Sequence, residues 1–344
     1  MVSRRDFLRN SAFNAISLPI CLVNSSKRKS HFTQTDSDAV IFGRVLFDKA
    51  PIFPHPDENS TSIKFCNFNE VLSLSHTVKG SSKITRNEIW YGIGESGYIQ
   101  SKNIQLVRND LFEPQVDISI TGQLAEITVP FSKAWPKGKQ RAYSNQIFFY
   151  GSTHWVYGIG KDSEGKLYYL VVEDRWGDSY YVDALHMRII DDHALAPSAP
   201  EIEPYKKSVL VDTKNQLLIA YEEGTPVMIS PISSGIASEN MNLNTPPGEY
   251  TVTYKRPSRH MVHSDKVGIN DRELYGVPWV TYFTDTGIGF HGTYWHNDYS
   301  HPHSHGCVNM PIHAARWIYL WTDPVVPPRE KKHVSKIGTR VKVV

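Results

Sequence analysis

From Val40 onward the chain consists largely of short β-prone runs cut by turn residues, and Ile312 to Leu320 carries a helical period. Val71-Leu72-Ser73-Leu74 alternates. Ile89-Trp90-Tyr91-Gly92 runs through Gly94-Glu95-Ser96-Gly97 into Tyr98-Ile99. Leu167 to Val172 follows the polar turn Lys161 to Lys166, and Val209-Leu210-Val211 pairs with Gln216 to Tyr221 across Thr213-Lys214-Asn215. Runs this short bury one face as strands and are too short for packed helices. The fold class expected is therefore mainly β. At 344 residues the chain has room for two or three domains.

Composition narrows the function. The net charge of +2 gives no electrostatic case for nucleic acid. Tyrosine and tryptophan are abundant, as in β modules with polar aromatic surfaces and equally in packed cores. Three cysteines, Cys21, Cys66 and Cys307, make no disulfide framework. Ala194-Leu195-Ala196-Pro197-Ser198-Ala199-Pro200-Glu201-Ile202-Glu203-Pro204 reads as a semi-rigid linker, 193–204, ahead of the last domain.

Chemistry concentrates near the C-terminus. His291-Gly292-Thr293 is followed by a polar aromatic insert and then Ser304-His305-Gly306-Cys307-Val308-Asn309. A thiol is a nucleophile as thiolate, and an imidazole beside it can take its proton. A glycine just before the cysteine clears space for a carbonyl and lets backbone N–H groups turn toward an oxyanion. A lone buried cysteine is more often a small hydrophobe, so the ordered string carries the argument. It resembles the signature of the L,D-transpeptidase catalytic domain, the YkuD family: histidine, a gap, then Ser/Thr-His-Gly-Cys-x-Arg/Asn. The resemblance extends upstream through Ser234-Gly235 and Thr245-Pro246-Pro247-Gly248-Glu249-Tyr250, and so covers roughly Val209 to Val344.

This resemblance implies a β-sandwich with short helices over residues 205–344. It implies Cys307 as nucleophile and His291 as base, with the Gly292 carbonyl fixing the imidazole tautomer. His305 would orient the loop or aid the oxyanion site, Ser304 and Gly306 would support that site, and Asn309 would hold the loop through backbone bonds. The segment from Lys255 to Gly289, with Arg256, Arg259, His260, His263, Lys266, Arg272 and Glu273, would form a lid or a wall of the substrate cleft. Tyr275, Trp279, Tyr282 and Trp295 would line that cleft. The implied reaction is acyl transfer between peptidoglycan stem peptides through a thioester, with no cofactor and with carbapenem β-lactams as covalent inhibitors. Water as acceptor would make the same site an L,D-carboxypeptidase. A wall endopeptidase with a Cys-then-His order fits less well, because His291 precedes Cys307. A non-catalytic wall-binding protein is the reading from another class. The alternating His301, His303 and His305 invite a metal, but zinc there would quench Cys307, and a solvated rim is preferred. Asp174, Asp178, Asp183, Asp191 and Asp192 fall at turns, where aspartate caps backbone.

Upstream, residues 40–110 end in a Trp-Tyr … Gly-Tyr-Ile pattern that resembles a bacterial SH3-like module. Residues 123–192 echo it with Trp155-Val156-Tyr157 and Tyr180-Tyr181-Val182, which suggests a second small β-barrel of that kind. Residues 1–39 open with Ser3-Arg4-Arg5-Asp6-Phe7-Leu8-Arg9, which resembles a twin-arginine export signal, followed by a tether. The apolar run after it is too short to span a bilayer. Ile20 stands where a lipobox needs a small residue, so lipidation at Cys21 is not expected. The expectation is export to the cell envelope, with membrane contact only through this signal.

Overall fold

The computed structural model describes residues 41–83, 87–137, 146–237, 243–262 and 273–344, and the backbone of residues 21–22. The twin-arginine-like stretch and His263, Lys266 and Arg272 lie outside the described residues. The architecture is mainly β, with one α-helix among the described residues.

Residues 42–107 form three small sheets around a core that includes Val45, Ile52, Cys66, Tyr91, Ile99 and Ile104. The Gly94–Ser96 turn is a single 3-10 turn closed by Gly97 at φ +107. The next stretch is organised differently. Strands between Gln123 and Ile189 make one continuous seven-stranded sheet, with Val156, Tyr169, Val171, Tyr180 and Val182 inside.

The C-terminal domain has two sheets and one helix. The strands are β1 (Lys207–Asp212), β2 (Leu217–Glu222), β3 (Thr225–Pro231), β4 (Gly248–Thr251), β5 (Tyr254–Met261), β6 (Leu274–Tyr282), β7 (Gly289–Gly292), β8 (Val308–Met310), β9 (His333–Val334) and β10 (Arg340–Val343), and the helix is α1 (Ile312–Trp321). The first sheet runs β3-β2-β1-β10-β4, with Cys21–Leu22 beside β3, and the second runs β8-β7-β6-β5-β9. The β1–β2 hairpin turns where Asp212 accepts from the Asn215 N–H at 2.9 Å. Alternation in β1 and β2 buries Val209, Val211, Leu218 and Ala220. These meet Phe290, Val308, Met310 and the Ala314, Ala315, Ile318 face of α1 in one core. Burying each of the larger of these side chains, Val209, Val211, Leu218, Phe290, Val308, Met310 and Ile318, contributes about 1.5–3 kcal/mol before entropy is counted.

The C-terminus of α1 is closed from the two sheets. Lys207 Nζ donates to the Trp321 carbonyl at 3.0 Å and to Asp323 at 2.9 Å. Lys255 Nζ donates to the Thr322 carbonyl at 2.7 Å. Cationic groups at a helix C-terminus answer both its orphan carbonyls and its dipole.

Two expectations change at the domain boundary. The proline-rich stretch packs along α1 instead of spacing the domains. Ala199 joins the main core, and the Ser198 N–H donates to the Leu320 carbonyl at 3.1 Å. The β5–β6 hairpin also turns its polar residues toward the middle sheet. Arg256 and Arg259 both pair with Asp174, and His260 Nδ1 meets Glu173 at 2.7 Å. Asp174 is therefore an ion-pair partner and not a solvated turn residue, whereas Asp183 caps the following 3-10 turn through the Leu185 N–H. Leu124, Trp155 and Ile190 of the middle unit share the C-terminal domain's core, so the apolar interior is continuous across the boundary.

Candidate active site

The site is built on β7 and β8, which run side by side in parallel with Phe290 opposite Val308 and His291 opposite Asn309. Side chains alternate across a strand. Phe290, Val308 and Met310 point into the core, so His291 and Asn309 take the other face. Cys307, one residue before β8, falls on that face too, level with Gly289. Parallel spacing then puts the Cα atoms of His291 and Cys307 roughly 8 Å apart on a diagonal. Gly289 is required there, because a Cβ would lie 2.6 Å from the Thr281 carbonyl oxygen.

His291 is buried, and its Nδ1–H donates to the Gly292 carbonyl at 3.2 Å. That bond makes Nε2 the unprotonated nitrogen. Burial lowers the imidazole to about 4, with the Gly292 carbonyl opposing the shift. Cys307 is half-buried, and its thiol donates to the Gly287 carbonyl at 3.8 Å. Burial raises the thiol, and the Gly289 N–H partly offsets this. The resting pair is therefore neutral thiol and neutral imidazole. The thiol's hydrogen bond goes to Gly287 and not to His291.

The loop before Cys307 is held from three sides. Ser304 Oγ donates to the Cys307 carbonyl and accepts the Gly306 N–H at 3.2 Å. Gly306 sits at φ +118, a conformation suited to glycine. Because its N–H is engaged by Ser304, Gly306 contributes backbone shape to the loop, and its N–H points away from the role of oxyanion donor. Thr245 Oγ1 donates to the Gly306 carbonyl at 2.8 Å and accepts the Gly235 N–H at 2.9 Å. The Ser234-Gly235 and Thr245-Pro246 phrases thus meet at the loop. Gln216, at φ +54, braces this corner from the hairpin turn by accepting the Ser234 N–H at 2.8 Å.

Asn309 pairs its backbone with Ser233 in both directions at 2.9 Å. Its side chain goes elsewhere than expected: Nδ2 donates to His296 Nε2 at 2.7 Å. His296 is buried and stacks on His303 at 4.4 Å between ring centroids. Sequence reading passed over His296 and Thr245. The histidine lies in an insert read as rim, and the threonine was legible only as part of a turn phrase.

The expected cleft residues separate. Tyr282 lies near enough to Cys307 for the two to interact electrostatically, and the Trp295 ring packs 5.7 Å from the His291 ring. Tyr275 instead belongs to the middle sheet's core, stacked on His260 at 3.9 Å. Trp279 lies in the main core beside Tyr319 of α1. His305 is exposed on the outside of the loop, as is His301. Among the described residues no group of three or more His, Cys, Asp or Glu is placed to hold a metal.

A half-buried thiol and a tautomer-fixed imidazole on one face of paired strands, beside a hydroxyl-braced glycine loop, define a cysteine–histidine site on a β-sandwich. Residues 206–343 match the family model of the L,D-transpeptidase catalytic domain, YkuD, and this segment is a catalytic domain of that family. No curated protein matched the chain. Among solved structures, the chain is 28% identical to an L,D-transpeptidase from Xylanimonas cellulosilytica, over 41% of this chain and 62% of that one, with a TM-score of 0.29. It is 22% identical to a cysteine-to-serine mutant of the Enterococcus faecium L,D-transpeptidase, over 42% and 51% of the two chains, with a TM-score of 0.31. L,D-transpeptidase 3 from Mycobacterium tuberculosis is 17% identical over 54% and 81%, with a TM-score of 0.32. The chain thus spans between half and two thirds of the length of the first two.

Proposed function

We propose that the protein crosslinks peptidoglycan stem peptides as a cysteine-dependent L,D-transpeptidase. The observation that carries this is the shared face of β7 and β8, where His291, Cys307 and Asn309 stand together away from the core. The neutral resting pair calls for general-base catalysis. As the Cys307 sulfur attacks the carbonyl of the third stem residue, the His291 Nε2 takes the thiol proton. The tetrahedral oxyanion is met by backbone N–H donors of the loop, with the Cys307 N–H the candidate once Gly306 is engaged. Losing one such donor costs about 10²–10³ in rate. The C–N bond then breaks, His291 returns the proton to the departing D-alanine amine, and a thioester remains. An amine of a second stem attacks that thioester and loses its proton to His291, the C–S bond breaks, and His291 returns the proton to the Cys307 sulfur. Water in place of the amine gives carboxypeptidase activity. Export to the cell envelope by the twin-arginine route is part of the proposal, with residues 1–39 as its signal.

The test is incubation with a purified disaccharide-tetrapeptide and with a carbapenem, read by mass spectrometry. Crosslinked dimer and a carbapenem adduct on Cys307 are expected. Equal product from Cys307→Ala would exclude the thiol as nucleophile. Tripeptide without dimer would favour the carboxypeptidase. Processing of an N-terminal fusion of residues 1–39, blocked by replacing Arg4 and Arg5 with lysine, tests the export route.

A further inference from the structure

The insert between His291 and Cys307 is held from outside its own domain. Arg44, on a strand of the N-terminal unit some 250 residues away in sequence, is buried and donates through Nη2 to the Tyr294 carbonyl. Three further hydrogen bonds hold it within its own unit. Nε and Nη2 donate to Gln105 Oε1 at 3.0 and 2.7 Å, and Nη1 donates to Asn69 Oδ1 at 2.7 Å. The guanidinium also lies 4.4 Å from the centroid of Phe149 of the middle unit, whose ring stacks on Tyr294 at 5.4 Å. A second strut runs the other way, because Asn297 Nδ2 donates to the Ile104 carbonyl at 3.0 Å.

Among the described residues no carboxylate pairs with Arg44. Burial lowers it to about 9, so it remains charged at neutral pH. A desolvated charge held only by neutral acceptors is costly, and an apolar side chain of similar length would fill the space without that cost. What only the planar fork supplies is a fixed direction for the Tyr294 carbonyl. The next two residues carry that direction into the site. Trp295 packs on the His291 ring, and His296 takes the hydrogen bond of Asn309, two residues past Cys307.

We propose that the N-terminal unit is a working part of the catalytic site, with Arg44 as a positioning residue that sets the strap 294–297 and through it the relation of His291 to Cys307. This rests on the transpeptidase reading above for its kinetic consequence, but not for its geometry.

The experiment uses the full chain. Carbapenem acylation of Cys307 is timed by mass spectrometry well below the melting temperature, for wild type, Arg44→Met, Arg44→Lys, Asn297→Ala and the control Arg188→Met. Arg188 is exposed and pairs with Glu126. A displacement near 1 Å costs about 10²-fold in rate. Arg44→Met is expected to slow acylation 10–100-fold, with Asn297→Ala in the same direction, Arg44→Lys between, and Arg188→Met unchanged. A merely structural Arg44 would lower the melting temperature and leave the rate of the folded protein untouched, which would overturn the proposal. The second readout is the pair of His296 and His303 ring signals by NMR without ligand. They are expected to shift in Arg44→Met and Asn297→Ala, and unshifted rings would overturn the proposal. If wild type itself is not acylated at Cys307, the transpeptidase reading fails, and the ring signals still decide the strap. If Arg44→Met does not fold, Asn297→Ala carries both readouts.

Discussion

Replacing Ser304 with alanine removes one hydroxyl and two hydrogen bonds. Ser304 is buried, and its Oγ joins the Cys307 carbonyl to the Gly306 N–H across the turn that presents the thiol. Leaving buried partners unsatisfied costs about 1–3 kcal/mol. Water from the half-open side of Cys307 can reach part of this loss, so a value near the middle, roughly 2 kcal/mol, is expected. For a domain of this size that is roughly 4–8 °C in melting temperature. The kinetic loss should be larger. Gly306 at φ +118 is held at its two peptide groups by Ser304 and Thr245, and a drift near 1 Å in the sulfur costs about 10²-fold. Carbapenem acylation read by mass spectrometry, with differential scanning fluorimetry on the same samples, measures both. Ser304→Thr keeps the hydroxyl and should stay within a few-fold of wild type. Wild-type acylation in Ser304→Ala, or equal damage in Ser304→Thr, would refute the account of the loop.

The neutral resting pair predicts that iodoacetamide alkylation of Cys307 rises only at pH above the ordinary thiol range, because burial raises the thiol. A plateau already present at neutral pH would mean a thiolate–imidazolium pair instead. At the contact with the middle unit, burial alone would raise the Glu173 carboxyl, but His260 and the N–H groups of Arg175, Trp176 and Asp178 outweigh it and bring it from 4.5 to about 2. A depressed carboxylate gives stability that is complete above the unfolded value and lost as pH falls through the folded one. Glu173→Gln should therefore remove on the order of 3 kcal/mol of the acid dependence in that window, measured by urea titration against pH, and an unchanged acid limb would contradict the pairing. Lys255 is lowered by burial from 10.5 to about 7, with Asp323 opposing. The unfolded chain binds that proton more tightly, so stability should rise with pH between those values, and Lys255→Met should flatten the rise in the same titrations.

Much of the fold was legible because its signals are local. The β1–β2 hairpin announced itself by Asp212 to Gln216, and α1 by apolar spacing bounded by Pro311. Cys307 and His291 were marked by an ordered string of small and reactive residues. The places of the expected cleft residues Tyr275 and Trp279 were not legible. A regular strand puts Tyr275, Val277 and Trp279 on one face, yet Trp279 has φ +63, and the three side chains enter three different clusters. Nothing in the residue types around Trp279 demands that reversal, which is set by the partner strand and by the tyrosine and arginine of α1 that receive the ring. Arg256, Arg259 and His260 looked like a cleft wall because their partners, Glu173 and Asp174, lie some 85 residues away in the sequence. The Arg44 contact is longer still, and a lone arginine in a strand gives no hint of the carbonyl it will meet.

The strut from Arg44 bears on how the protein is handled in the laboratory. A truncated product starting near residue 206 would retain every reactive group yet leave the Tyr294 carbonyl and Asn297 without their partners. Compounds ranked on that fragment would be selected against a rim shaped differently from the one in the intact chain, and their order of potency would not carry over.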